Sequence, residues 1–233
     1  MLKCALMEGD RVVDRLQLPA FDRVELEGWL AGRTPRQTIL SSTRGEVAEP
    51  LEALSEMGLS PLHFTPQVEV PIANDYHTPE TLGRDRLAAA VGAASLHPDK
   101  TVMIVDCGTA LTIDLVHRGC YLGGFISPGL STRLRALNHY TASLPLVEPQ
   151  DLAWEIGKTT QSCIAQGVEQ GICFEIEGHA ARFREKYGEI ITIFTGGDAK
   201  HFVKRIKNTI FADCDLVFVG LNRILAYHAG TEK

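Results

Sequence analysis

The stretch VMIVDCGTALTIDLV, residues 102–116, places two apolar runs of strand length on either side of a Gly-Thr pair. Runs of four to eight residues rich in Val, Ile and Leu and bounded by a turn read as buried strands. A chain built around such a pair needs layers to cover it, and an aspartate at the end of the first run needs a reason to be there. A strand-end turn written Asp-x-Gly-Thr offers one. Its glycine permits close backbone approach, its N–H groups and hydroxyl suit phosphate oxygens, and its carboxylate suits a cation. The plainer reading is a tight turn capped by Asp106.

The segments around it alternate strand and helix. Residues 2–19 hold two short apolar stretches about Glu8-Gly9-Asp10, the pattern of a β-hairpin. Helical spacing follows over 24–30, a short strand over 37–42, and an amphipathic helix over 47–57 closed by Gly58. A Thr78 cap, Pro79 and an Ala-rich run predict a helix over 79–96, whose first turns carry Arg84, Asp85 and Arg86. Strands over 101–105, 110–116 and 120–127 form a second hairpin system. Helices opened by Pro128-Gly129 and spanning 159–187 follow, then a strand, a Thr-Gly-Gly turn and a helix, and a last helix over 216–228. Trp29, Trp154 and most of the Phe residues fall on apolar faces and are expected in the core. The fold class is α/β with a mixed sheet.

Laying the first hairpin over the second at a constant offset of 109 residues puts Leu2 on Leu111, Leu6 on Leu115 and Pro19 on Pro128. The same offset carries Asp106 to a position before Met1. The expectation is that the first of two repeats begins upstream of this sequence.

A chain of 233 residues accommodates two packed halves, expected at 1–97 and 98–233. The net charge of −6, with no Lys/Arg block, argues against a nucleic-acid groove and for small molecules or proteins as partners. No apolar run approaches the ~20 residues of a membrane span, and the N-terminus has no signal pattern, so no membrane partner and a cytoplasmic location are expected. The six cysteines form no CxxC pair and are expected to be reduced. No HxxxH or HExxH spacing points to a zinc site.

Six motifs, in order and spacing, resemble the type III pantothenate kinases: LGRDR (82–86), DCGTALTID (106–114), GGFISPGL (123–130), ASLP (142–145), GKTTQSCIAQG (157–167) and TGGDA (195–199). The resemblance spans nearly the whole chain and is weaker before residue 70. It implies two duplicated actin-like, ribonuclease-H-like α/β subdomains with a ligand cleft between them, assembled as a homodimer whose active site is completed across the interface. It implies ATP-dependent phosphorylation of pantothenate to 4'-phosphopantothenate, the first step of coenzyme A biosynthesis, with Mg²⁺ and a monovalent cation, K⁺ or NH₄⁺. Carried over residue by residue, Asp85 is the general base. Gly83, Arg84, Asp85 and Arg86 hold the substrate with Tyr76, and Thr160 reaches the pantothenate of the neighbouring subunit. Gly108 and Thr109 contact ATP phosphates, Gly196 and Gly197 form the adenosine-side loop, and Asp106 coordinates the monovalent cation.

The residues themselves leave blander alternatives open. RDR reads equally as a solvated helix turn, TGGDA as a tight turn, Thr159 and Thr160 as an N-cap pair, and GGFISPG as a packing element. The family's opening Asp-x-Gly-Asn-Thr motif has no match here, which agrees with the repeat. A preorganised phosphate site is worth on the order of 10² to 10³ in rate. Two further expectations therefore stand beside a kinase whose translation starts upstream: a catalytically impaired binding or regulatory protein, and a kinase for another small hydroxyl compound.

Overall fold

A computed structural model describes residues 1–43, 45, 47–150, 155–206, 210–212 and 215–230. Trp154 and Cys214 lie outside the described residues. The chain divides into two units, Met1–Leu96 with Asp215–Lys233, and His97–Cys214. The last helix departs from the expectation, because it joins the first unit rather than the second.

In the first unit, β1 (Leu2–Glu8) and β2 (Arg11–Leu18) pair antiparallel about Gly9, whose φ of +55° is one glycine adopts without strain. Helix α1 (Arg23–Leu30) follows, capped by the Asp22 carboxylate, which accepts from the Glu25 N–H. Then come β3 (Thr38–Leu40), α2 (Ala48–Glu56), β4 (Pro61–His63) parallel to β3, the short β5 (Ala73–Asn74), and α3 (Arg84–Leu96). The sequence pattern missed β4 and β5, because strands of two or three residues carry no periodicity to read.

Helix α3 is buried along residues 87–93, in keeping with a run of small apolar residues that face every direction. Its partner is α7 (Leu216–His228), and the contact is backbone to backbone. A Cβ at Gly92 would lie 2.5 Å from the Leu216 carbonyl oxygen, and one at Gly220 only 1.7 Å from that of Ala88. That crossing fixes α7 to the first unit. Trp29 is half-buried rather than core, because its indole N–H donates to Asp14 at 3.1 Å and must stay within reach of it.

The second unit begins with β6 (Thr101–Cys107), β7 (Ala110–His117) and β8 (Cys120–Pro128), joined as antiparallel neighbours. Helices α4 (Leu130–Tyr140) and α5 (Thr160–Tyr187) follow, then β9 (Ile191–Thr195), α6 (Ala199–Val203) and β10 (Ile210–Ala212). The strands lie in the order β10-β9-β6-β7-β8, with β9 parallel to β6 and β10 parallel to β9, so the sheet is mixed as expected. Val102 to Val105 are at most 1% exposed. Met103, Val105, Leu111, Ile113 and Leu115 form one core with Leu134, Ile172, Ile176, Phe194 and Phe202 from the strands and helices around them. Phe125 and Phe174 stay out of it, at 45% and 60% exposure.

The offset of 109 carries β1, β2 and α1 onto β7, β8 and α4 within two residues at every end. The correspondence extends to an irregularity. The β1–β2 register slips between Leu6 and Met7, and the β7–β8 register slips between Leu115 and Val116, the positions that the same offset pairs. Parallel β3–β4 likewise answers to parallel β9–β10. In the second unit β6 joins hairpin to parallel pair, whereas among the described residues of the first unit no strand joins β1–β2 to β3–β4.

Candidate active site

In the second unit the DCGT and TGGDA motifs meet at the ends of adjacent strands. Asp106 on β6 pairs in parallel register with Thr195 on β9, so both chains leave the sheet side by side. The loop after β9 then folds over the end of β6, and the Asp198 N–H donates to the Cys107 carbonyl at 2.9 Å. Gly196 makes this possible. Its φ is +91°, and a Cβ there would sit 2.3 Å from Asp106 Oδ1 and 2.5 Å from the Cys107 carbonyl oxygen. Gly197, by contrast, is exposed, and a Cβ on it would meet nothing within 4 Å. Gly108 too has only ordinary contacts, 3.7 Å to the nearest atoms. Only Gly196 is demanded by the loop itself.

The GGFISPGL segment supports the first turn from below. The Gly129 N–H (3.0 Å) and the Thr132 hydroxyl (2.7 Å) both donate to the Thr109 carbonyl, while a Cβ at Gly129 would stand 2.0 Å from the Gly108 carbonyl oxygen. Thr109 is left exposed at the tip with its carbonyl occupied and the Gly108 N–H donating to Ala110 at 3.0 Å. The GGFISPG segment, together with Thr132, thus packs against the DCGT turn and holds it still.

Asp106 is half-buried, beside Gly196 and the Cys107 carbonyl. Among the described residues no group of three or more His, Cys, Asp and Glu side chains forms a metal cage. One carboxylate suits a hard cation whose remaining oxygens come from phosphates and water, which is the usual mode for magnesium with nucleotides. Asp198 sits in the same loop and was not among the residues expected from the sequence, although it lies inside a motif that was. Burial pushes its carboxyl above the ordinary value, with His201 pulling the other way.

In the first unit the helix predicted over 79–96 begins instead at Arg84. The Thr81 hydroxyl and N–H both donate to the Thr78 carbonyl, at 2.9 and 3.0 Å, and this local turn competes with helix until Gly83. The correction puts Asp85 in the first turn of α3, where the helix dipole complements a carboxylate. Gly83 clears space for it, since a Cβ there would lie 2.7 Å from Asp85 Oδ1, and the Arg86 N–H donates to that same oxygen at 2.9 Å.

The two arginines of GRDR differ. Arg84 is 7% exposed, and its guanidinium donates to the Leu82 carbonyl (3.0 and 2.6 Å) and the Pro79 carbonyl (2.6 Å) while lying 5.6 Å from the Phe64 ring centre. Arg86 is half-buried, with its guanidinium 5.9 Å from the ring centre of Tyr76. The Tyr76 N–H donates to Asn74 at 3.0 Å. Tyr76, singled out without a motif around it, is thereby adjacent to the GRDR residues. Thr160 is the exposed first residue of α5, and Thr159 before it caps the helix in a reciprocal pair with Ser162. A cavity of about 370 Å³ in the first unit, lined by Arg36, Thr38, Leu62 and His228, contains none of the motif residues.

A family model described as type III pantothenate kinase matches residues 4–182. Proteins named type III pantothenate kinase from Azobacteroides pseudotrichonymphae and Christiangramia forsetii are 41% and 36% identical over 229 and 230 residues, covering 97% of this chain and 93% and 94% of theirs. One from Bacteroides fragilis is 43% identical over 181 residues, 77% of this chain and 74% of its own. Among solved structures, a Campylobacter jejuni protein described as a Baf family transcriptional activator superposes with a TM-score of 0.58 at 22% identity, covering 88% of this chain and 89% of that one. A ROK family protein from Streptococcus pneumoniae, in complex with sucrose, superposes with a TM-score of 0.52 at 12% identity, covering 99% and 96%. At those identities the structures speak for the fold alone.

Proposed function

The chain belongs to the type III pantothenate kinase family, and from that premise we propose that it transfers the terminal phosphoryl group of ATP to the hydroxyl of pantothenate. The observation that carries the reading is the meeting of DCGT and TGGDA at Asp106 and Thr195, over a turn clamped by Gly129 and Thr132. Phosphoryl transfer asks a protein for positioning and charge neutralisation more than for covalent chemistry. A turn held from below and roofed by a glycine loop supplies the first.

The exposed Thr109 hydroxyl meets phosphate oxygens, Gly108 beside it leaves room for their approach, and Gly196 and Gly197 let the adenosine moiety approach the loop. Asp106 holds a monovalent cation, K⁺ or NH₄⁺, and Mg²⁺ arrives with ATP; when bound, these ions neutralise charge on the phosphates. In the first unit Asp85 accepts the proton of the acceptor hydroxyl, and Arg86 offers its fork to the pantothenate carboxylate. Arg84 acts on the substrate through the loop it holds. Thr160 contributes to the pantothenate site of a second copy in a cytoplasmic homodimer.

The test is ADP release by the purified protein with Mg²⁺, ATP and K⁺, against pantothenate and a panel of other small hydroxyl acceptors. Release with pantothenate, raised by K⁺, is expected. Release with another acceptor and none with pantothenate would overturn the choice of substrate, and ligand binding with no release at all would favour a regulatory protein on a kinase scaffold.

A further inference from the structure

Among the described residues the second unit buries two carboxylates that the proposed chemistry does not use, Asp114 and Glu169. Glu169, in the middle of α5, is 1% exposed. A charge that deep persists only where it is paired and hydrogen-bonded. Its Oε1 accepts the Gln150 N–H at 3.0 Å, and its Oε2 takes Arg205 Nη1 at 2.5 Å and lies 3.2 Å from His201 Nε2. Arg205 also reaches the Gln150 carbonyl, at 3.4 Å. Two segments distant from α5 in sequence thus converge on one carboxylate.

Two of those contacts come from α6 and the residues just after it. Helix α6 is only Ala199–Val203, too short to hold a position by its own hydrogen bonds. It buries Ala199 and Phe202 on one side and presents His201 to Glu169. It also starts directly behind Asp198, whose N–H reaches back to the Cys107 carbonyl beside Asp106. The Ala199 N–H closes the turn onto the Gly196 carbonyl at 3.3 Å, so α6 and the glycine loop move as one piece. Where the anchor of α6 sits decides where Gly196 and Gly197 sit.

We infer that Glu169 is a positioning residue: through His201 and Arg205 it sets the TGGDA loop against the DCGT turn and so governs nucleotide binding rather than acceptor binding. The inference rests on the kinase reading above. Glu169, Gln150, His201 and Arg205 all lie outside the six segments that carry the family resemblance.

The experiment is calorimetric titration of the full-length protein with Mg²⁺·ATP and, separately, with pantothenate, for wild type, Glu169→Gln and His201→Gln. Glu169→Gln is expected to weaken ATP binding on the order of tenfold, as loss of loop placement does, and to leave pantothenate binding unchanged. His201→Gln removes only the α6 arm, leaves the Glu169–Arg205 pair in place, and is expected to weaken ATP binding by a smaller factor, again without effect on pantothenate. Should Glu169→Gln fail to fold, His201→Gln decides alone. Equal weakening of both ligands would mean a general structural role and would overturn the proposal, as would wild-type ATP affinity in a folded variant. If the wild type bound pantothenate but no ATP, the kinase reading itself would fall and the proposal with it.

Discussion

The hairpins β1–β2 and β7–β8 are one design used twice, with a register slip at the corresponding step, yet their surroundings differ. Along β1 and β2 no residue is fully buried, whereas β7 is buried along most of its length. The residues that differ between matched positions mark what the second copy has become. Where the first has Ala5 and Val12, the second has Asp114 and Tyr121, a buried pair in which the phenol donates to the carboxylate at 2.7 Å. Where the first has Asp14 and Arg15, paired with Arg33 and Asp215, the second has Gly123 and Gly124. A Cβ at Gly124 would fall 2.1 Å from the Ile113 carbonyl oxygen. Exposed Ala20 answers to Gly129, the residue that clamps the DCGT turn. The first hairpin is a surface element held by ion pairs, and the second is a core element shaped around a turn.

Substitutions at matched positions sharpen that contrast. Gly129→Ala should have the largest effect, because backbone atoms occupy the space its Cβ needs: a loss of about 1–3 kcal/mol in unfolding free energy and on the order of 10² in activity. Ala20→Gly, its counterpart, should change stability by no more than about 0.5 kcal/mol. Denaturant titration of both checks the pair, and equal effects would dissolve the distinction. Tyr121→Phe removes a donor from an Asp114 that is 2% exposed, and should cost about 1–3 kcal/mol in the same titration.

A smaller effect depends on pH. Burial alone would push the Glu175 carboxyl up, but hydrogen bonds from Arg133 and Ser127 outweigh it and hold the group below its ordinary value of 4.5. The folded state therefore binds fewer protons here than the unfolded one. The stabilisation is present above about pH 4.5 and is lost as pH falls through the lower folded value. Melting curves of wild type and Glu175→Gln should differ at neutral pH and converge in acid; a gap that widened in acid would contradict the pairing.

The alternation of strand and helix, both hairpins and α7 were legible because their apolar periods are long and their turns carry Gly9 and Gly119. The repeat was legible at three identities and proved to extend to a register slip. What stayed hidden has physical causes. Strands β4, β5 and β10 are too short to show a pattern, and the start of α3 turned on a Thr78–Thr81 contact that outcompetes a run of good helix formers. Membership of α7 in the first unit depends on Gly92 and Gly220 touching across the sequence, which composition cannot announce. At the site, DCGT, TGGDA and GRDR were all readable as motifs. The roles of Gly129 as a clamp, Arg84 as a loop holder and Asp198 as a third member of the glycine loop needed coordinates, since each acts through a backbone contact.

In the proposed reaction this chain moves the γ-phosphoryl group of ATP to pantothenate with Asp85 as the base. The most direct test follows label from γ-³²P-ATP into phosphopantothenate, with Mg²⁺ and K⁺, for wild type and Asp85→Asn. Label transfer by the wild type that falls on the order of 10² to 10⁴ in the variant is the expected result. Transfer that is undiminished in Asp85→Asn would contradict the assignment of the base, and label that never reaches pantothenate in a folded wild-type protein would contradict the account as a whole.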